Sequence, residues 1–160
     1  MNKTKNINWL IASLIFLVVM GIIICESNKA YWDHKVKELC DKDGGVTIYE
    51  KVVISKGDYP TMKFTSAGRP ILPPESSATE RNPFFYSHKK ELIKENYFGL
   101  DVIRYEDLKI RSADKKVLSK KITYGRKGGD FPIGFEQSHI TCDLDNNDLL
   151  EYGSVIIVKE

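Results

Sequence analysis

The sequence predicts an α+β protein: an N-terminal membrane helix continuing into an amphipathic helix, packed on an antiparallel β-sheet and fastened by one disulfide. Three observations predict it. Trp9 to Cys25 runs for seventeen residues without a charge. Trp32, Val36 and Leu39 then recur at helical spacing on one face. Beyond Gly45 the chain breaks into short runs rich in β-branched residues, separated by turn-forming residues.

At about 1.5 Å per residue the apolar run covers most of a roughly 30 Å hydrocarbon core, and Ile7 and Asn8 extend it. Residues 1–6 are thus expected to form a cytoplasmic tail, 7–25 a transmembrane anchor and 26–160 one external domain. A cleaved secretory signal shares the basic start, but its apolar region spans about 7–15 residues and ends in small residues, whereas this one exits through Cys25-Glu26-Ser27. Acylation of Cys25 favours a small residue before it, and that place is held by Ile24. An uncleaved anchor fits better than either. Lys3 and Lys5 precede the run, while Lys29, Lys35 and Lys37 follow it among Glu26, Asp33 and Glu38, so the N-terminus is placed in the cytoplasm. Trp9, and beyond the other end Tyr31 and Trp32, suit the membrane interfaces.

The external segment is long enough for one domain with a core of its own. Of the 24 Lys and Arg residues, Lys3 and Lys5 lie before the apolar run; the remaining twenty-two balance the 22 Asp and Glu. A neutral domain argues against general binding to nucleic acid or to anionic membranes. It contains two cysteines, Cys40 and Cys142, which in an oxidising compartment read as one disulfide. The rival reading is a nucleophilic or metal-binding cysteine; His139 stands three residues before Cys142, a spacing that on a strand sends the two side chains to opposite faces.

Taken in order, Glu26 to Cys40 is helical, and Asp41 to Gly45 stops the helix with paired glycines. Val46 to Ser55 alternates as a first strand. Gly57 to Pro83 holds five prolines among Ser, Thr and Gly and reads as an extended excursion. Phe84, Phe85 and Tyr86 follow, either plugging the core or presenting an aromatic contact surface. Ser87 to Asn96 looks like a short helix capped by Ser87. Tyr97 to Ser112 reads as one or two strands, Val117 to Tyr124 as the returning strand and Gly125 to Gly134 as irregular. His139 to Leu144 and Ser154 to Lys159 supply the last strands, across an acidic turn.

Candidate chemistry is sparse. Arg126 to Phe131 (RKGGDF) resembles a GGDEF loop superficially but lacks the further acidic residue before Phe131. Asp143 to Asp148 begins like a calcium loop, with oxygen donors at positions 1, 3 and 5. It departs at position 6, Asp148 in place of glycine, and at position 12, Ser154 in place of glutamate. His34, His88 and His139 show no metal-ligand spacing, and no Walker or G-x-S-x-G motif is present. No catalytic residue, metal or cofactor is therefore expected. Lys115, Lys116, Lys120, Lys121, Arg126 and Lys127 form a basic run around one strand, either a solvated edge or a docking surface for an acidic partner.

Cys40 to Glu50 (CDKDGGVTIYE) and Ser119 to Pro132 (SKKITYGRKGGDFP), leading to Cys142, resemble small uncharacterised proteobacterial envelope proteins with a cysteine–KDGG opening and a GGDFP–cysteine ending. The resemblance implies a Gram-negative envelope, a periplasmic domain and a paired Cys40 and Cys142, and brings no activity. The expectation is a single-pass inner-membrane protein whose periplasmic domain is a non-enzymatic interaction module for another envelope or membrane protein, with Phe84, Phe85, Tyr86, Lys120, Arg126 and Lys127 as candidate contacts. The alternatives are an anchored immunity or inhibitor protein against a periplasm-acting toxin or hydrolase, and an envelope enzyme.

Overall fold

The computed structural model describes residues 3–66, 68–79, 81–95, 99–130, 138–144 and 146–159. One helix dominates the N-terminal quarter: α1 spans Lys3–Asp43 without a break. From Trp9 to Ile24 it is apolar on every side and largely exposed, the character of a helix whose solvent is lipid. By length and composition it is able to cross a membrane. It ends where the glycines require. The Gly44 N–H donates to Cys40 O at 2.8 Å, and a Cβ there would lie 2.6 Å from that carbonyl oxygen; Gly45 follows at φ +119°.

The main sheet is antiparallel. Its strands are β1 (Gly45–Ile48), β3 (Phe84–Glu95), β4 (Asp101–Arg111), β5 (Val117–Lys127) and β6 (His139–Thr141), in the order β1-β5-β4-β3 with β6 also on β5. A second, two-stranded sheet pairs β2 (Val52–Ser55) in parallel with β7 (Ile156–Lys159). Helix α2 (Asn146–Gly153) lies between β6 and β7. The α+β class, the leading helix on an antiparallel sheet and the single disulfide are as the sequence predicts.

Two cores result. Val36 on α1 is buried with Leu100, Val102, Ile122 and Tyr124, flanked by Trp32, Leu39 and the disulfide; burying an aliphatic side chain of this size contributes about 1.5–3 kcal/mol. The second gathers Ile54, Phe84, Leu118, Val155 and Ile156. Tyr59, Met62 and Leu72 cover it, so the proline-rich excursion lids a core rather than wandering over the surface.

Several local expectations change. The strand predicted over Val46 to Ser55 divides, because the N–H groups of Tyr49 and Glu50 both turn to Leu118 O, leaving β1 in one sheet and β2 in the other. Ser87 to Asn96, predicted helical, is extended within β3 as far as Glu95; Asn96 lies outside the described residues. Ser87 is no cap: its hydroxyl donates to Glu75 Oε2 at 2.6 Å. Strand β5 runs on to Lys127, shortening the predicted irregular stretch, whose residues 131–134 lie outside the described set. The acidic segment becomes α2 from Asn146, with Asp145 outside the described residues.

Candidate functional site

Helix α1 is held to the sheet at three levels. Nearest the apolar run, Lys29 Nζ bonds Asp130 Oδ1 at 2.8 Å, and the other Asp130 oxygen accepts the Ser138 N–H at 2.6 Å. These donors hold the Asp130 carboxyl well down, to about 2, and Asp130 in turn raises the Lys29 ammonium. One turn on, Arg126 Nε meets Asp33 Oδ1 at 2.5 Å, while Arg126 Nη1 donates to the Gly128 carbonyl and, at 3.1 Å, to Ser138 Oγ. At the far end Cys40 is joined to Cys142 with Cα atoms 5.6 Å apart, and the Tyr124 hydroxyl donates to Asp43 Oδ2 at 2.8 Å. The helix that begins as an apolar rod is thus a fixed part of the domain.

The opposite face of the sheet carries the densest polar cluster. His88 Nδ1 lies 2.5 Å from Asp107 Oδ1, its ring stacked on Tyr105, and Lys121 reaches the other Asp107 oxygen at 2.8 Å. Burial works to raise Asp107, and its hydrogen bonds with His88 and Lys121 outweigh that, leaving the carboxyl lowered. Beside them Lys109 stands directly across from Ser119 in the β4–β5 register. Burial, with Lys121 and Arg69 nearby, pushes the Lys109 ammonium down to about 8. A serine beside such a lysine has the composition of a nucleophile and its base. The geometry does not assemble one. Ser119 is 0% exposed and its hydroxyl has no partner among the described residues, whereas Lys109 donates to the Tyr152 carbonyl and sits 4.1 Å over that ring. Lys109 closes the C-terminal turn of α2, and no substrate reaches the serine.

The third feature is the free edge of β3. Tyr86 donates its N–H to Pro73 O, outward from β4, so backbone alternation turns the polar groups of His88, Lys90 and Leu92 outward as well. Beyond Tyr86 these groups have no partner among the described residues. A bulge interrupts the β4 pairing between Leu92 and Lys94. Leu92 and Ile93 are 50% and 43% exposed. Lys89, Lys90 and Lys94 make no ion pair among the described residues, while Glu91 lies 3.9 Å from Arg104.

The residues singled out in the sequence separate cleanly. Phe84 and Phe85 are each 2% exposed and Arg126 is 3% exposed, which removes all three from any contact surface; the aromatic pair fills the interior and the guanidinium binds the helix. Tyr86 and Lys127 remain exposed, and Lys120 is half-buried. The predicted basic patch is largely neutralised inside the molecule. Lys116 pairs with Glu50 at 2.7 Å, Lys121 with Asp107 and Arg126 with Asp33, and Lys115 lies 4.9 Å over the Phe85 ring. Among the described residues no group of His, Cys, Asp and Glu has the arrangement of a metal site. The β3 lysines that are unpaired among the described residues have no sequence signal, because Ser87 to Asn96 predicts a helix, where an open edge does not exist. No known family, curated protein or solved structure matches this chain.

Proposed function

We propose that this is a single-pass inner-membrane protein, N-terminus in the cytoplasm, whose periplasmic domain is a non-enzymatic docking module for another membrane or envelope protein. The observation that carries the reading is the continuity of α1. The same helix that is apolar on every side through Ile24 is locked to the sheet from Lys29 to Asp43, so the domain sits at the membrane surface in one orientation. Such a fixed platform suits a partner held in the same membrane. A disulfide between Cys40 and Cys142 accords with an oxidising compartment, and Lys3 and Lys5 accord with a cytoplasmic tail. Ser119 and Lys109, sealed inside the fold, do not supply the enzyme reading with an accessible nucleophile and base.

The test is purification of the full chain from gently solubilised membranes. A defined complex at fixed stoichiometry is expected. Recovery as a lone monomer under conditions that preserve other membrane complexes overturns the proposal.

A further inference from the structure

We infer that the outward edge of β3, from His88 to Leu92, is the docking element, and that its occupant is an extended acidic segment of a different protein rather than a second copy of this chain. The inference rests on the docking function proposed above and supplies its surface.

The edge is already used once within the molecule. Pro73 and Pro74 lie alongside Tyr86 as a short parallel addition to the sheet, and the chain then turns away at Glu75–Ser77. Three residues of outward-facing backbone remain past that point, room for an added strand to continue the ladder. The charge of the rim is basic in balance: three lysines stand against Glu91 and, at the far end of the strand, Glu95. Lys89, Lys90 and Lys94 are unpaired among the described residues, whereas Glu91 is drawn toward Arg104. A carboxylate-bearing strand meets complementary charge there.

A second copy fits poorly. Antiparallel two-fold pairing sets residues of equal parity opposite one another, which leaves few registers. Those centred on Lys89 or Lys90 drive the end of the incoming β3 into Pro74. The register centred on Glu91 opposes that residue to itself, and the one centred on Ile93 sets Glu91 against Glu95 twice. Centring on Leu92 sets Lys90 against Lys94 twice, across the bulge, with Lys89 against Glu95 only at the strand end as compensation.

Backbone amide exchange on the full chain in detergent micelles tests the inference. The probe is a ten-residue peptide alternating glutamate and threonine, with a lysine–threonine peptide as control. The acidic peptide is expected to slow exchange at His88, Lys90 and Leu92. The amides of Lys89 and Glu91, already turned to β4, are expected not to change. Reversing Lys90 and Lys94 to glutamate weakens the effect about tenfold. No slowing, or equal slowing by both peptides, overturns the acidic-strand assignment; protection of the same amides on raising protein concentration without peptide assigns the edge to a second copy instead. In the native complex, Lys90→Pro removes one outward N–H and leaves the β4 ladder whole. Loss of the partner with unchanged melting supports the inference. A retained partner overturns the edge while leaving the docking function standing, and a wild-type chain recovered alone overturns the function itself.

Discussion

Arg126 reaches from β5 to Asp33 on α1, Nε to Oδ1 at 2.5 Å, with the guanidinium end almost wholly buried and the carboxylate partly solvated. Removing the carboxylate strands a cation in the interior. Asp33→Ala should cost about 3 kcal/mol, the low end for a broken buried pair. Arg126→Met with Asp33→Ala should restore part of it. Chemical denaturation of the full chain in micelles measures both, and equal losses in single and double variants would show that the pair is not the source.

The disulfide closes a loop across 102 positions of sequence. In the chain-entropy picture Cys142→Ser gives up about 4–5 kcal/mol, an upper figure. The same loss should appear when the wild-type protein is unfolded in reductant, with no additional effect of reductant on the variant.

Asp130 and Asp43 make the helix contacts acid-sensitive. Both carboxyls are lowered in the folded protein, Asp130 to about 2 by Lys29 and the Ser138 N–H, Asp43 chiefly by the Tyr124 hydroxyl. A depressed carboxyl stabilises above its unfolded value of about 3.9 and loses that contribution as pH falls through its folded value. Stability should therefore drop between about pH 4 and 2. Asp130→Asn should flatten that slope, and an unchanged acid profile would remove Asp130 from the account.

Lys109 behaves with the opposite sense. Its folded value of about 8 lies below the ordinary 10.5, so between the two the unfolded chain binds the extra proton. Stability should rise with pH across that interval. Lys109→Met should abolish the rise. Side-chain NMR titration gives the direct readout, with one lysine expected to titrate near 8.

Ser119 is buried, and its hydroxyl has no partner among the described residues. Ser119→Ala should be neutral or stabilise by up to about 1 kcal/mol. A loss of more than that, by thermal melting, would mean that the hydroxyl has a partner in solution.

The parts legible in the sequence were those encoded locally or by elimination. Seventeen uncharged residues define the rod, the i, i+4, i+7 spacing of Trp32, Val36 and Leu39 defines its packed face, and two cysteines in one domain leave one pairing. Strand β3 was illegible for a physical reason. Its residues from Lys89 to Glu95, Ile93 apart, are strong helix formers, and the bulge after Leu92 breaks the alternation that marks a strand. Only pairing with β4 along its length overrides that preference. The basic run failed similarly, because Glu50, Asp107 and Asp33, which neutralise it, are distant in sequence and meet it only in the fold. That Tyr124 reaches Asp43 or that Ser138 serves both Asp130 and Arg126 has no local signature at all.

The unbroken passage of α1 from its apolar run into the domain gives the domain an azimuth as well as a height. Each residue of an α-helix advances about 1.5 Å and turns about 100°. One residue inserted between Cys25 and Lys29 would swing the β3 edge by more than a quarter turn about the axis of the apolar run while lifting it by about 1.5 Å. A four-residue insertion would nearly restore the heading and raise the domain by one helical turn. On the docking function proposed above, the phase of the helix, and not its length alone, decides which neighbour the β3 edge is offered.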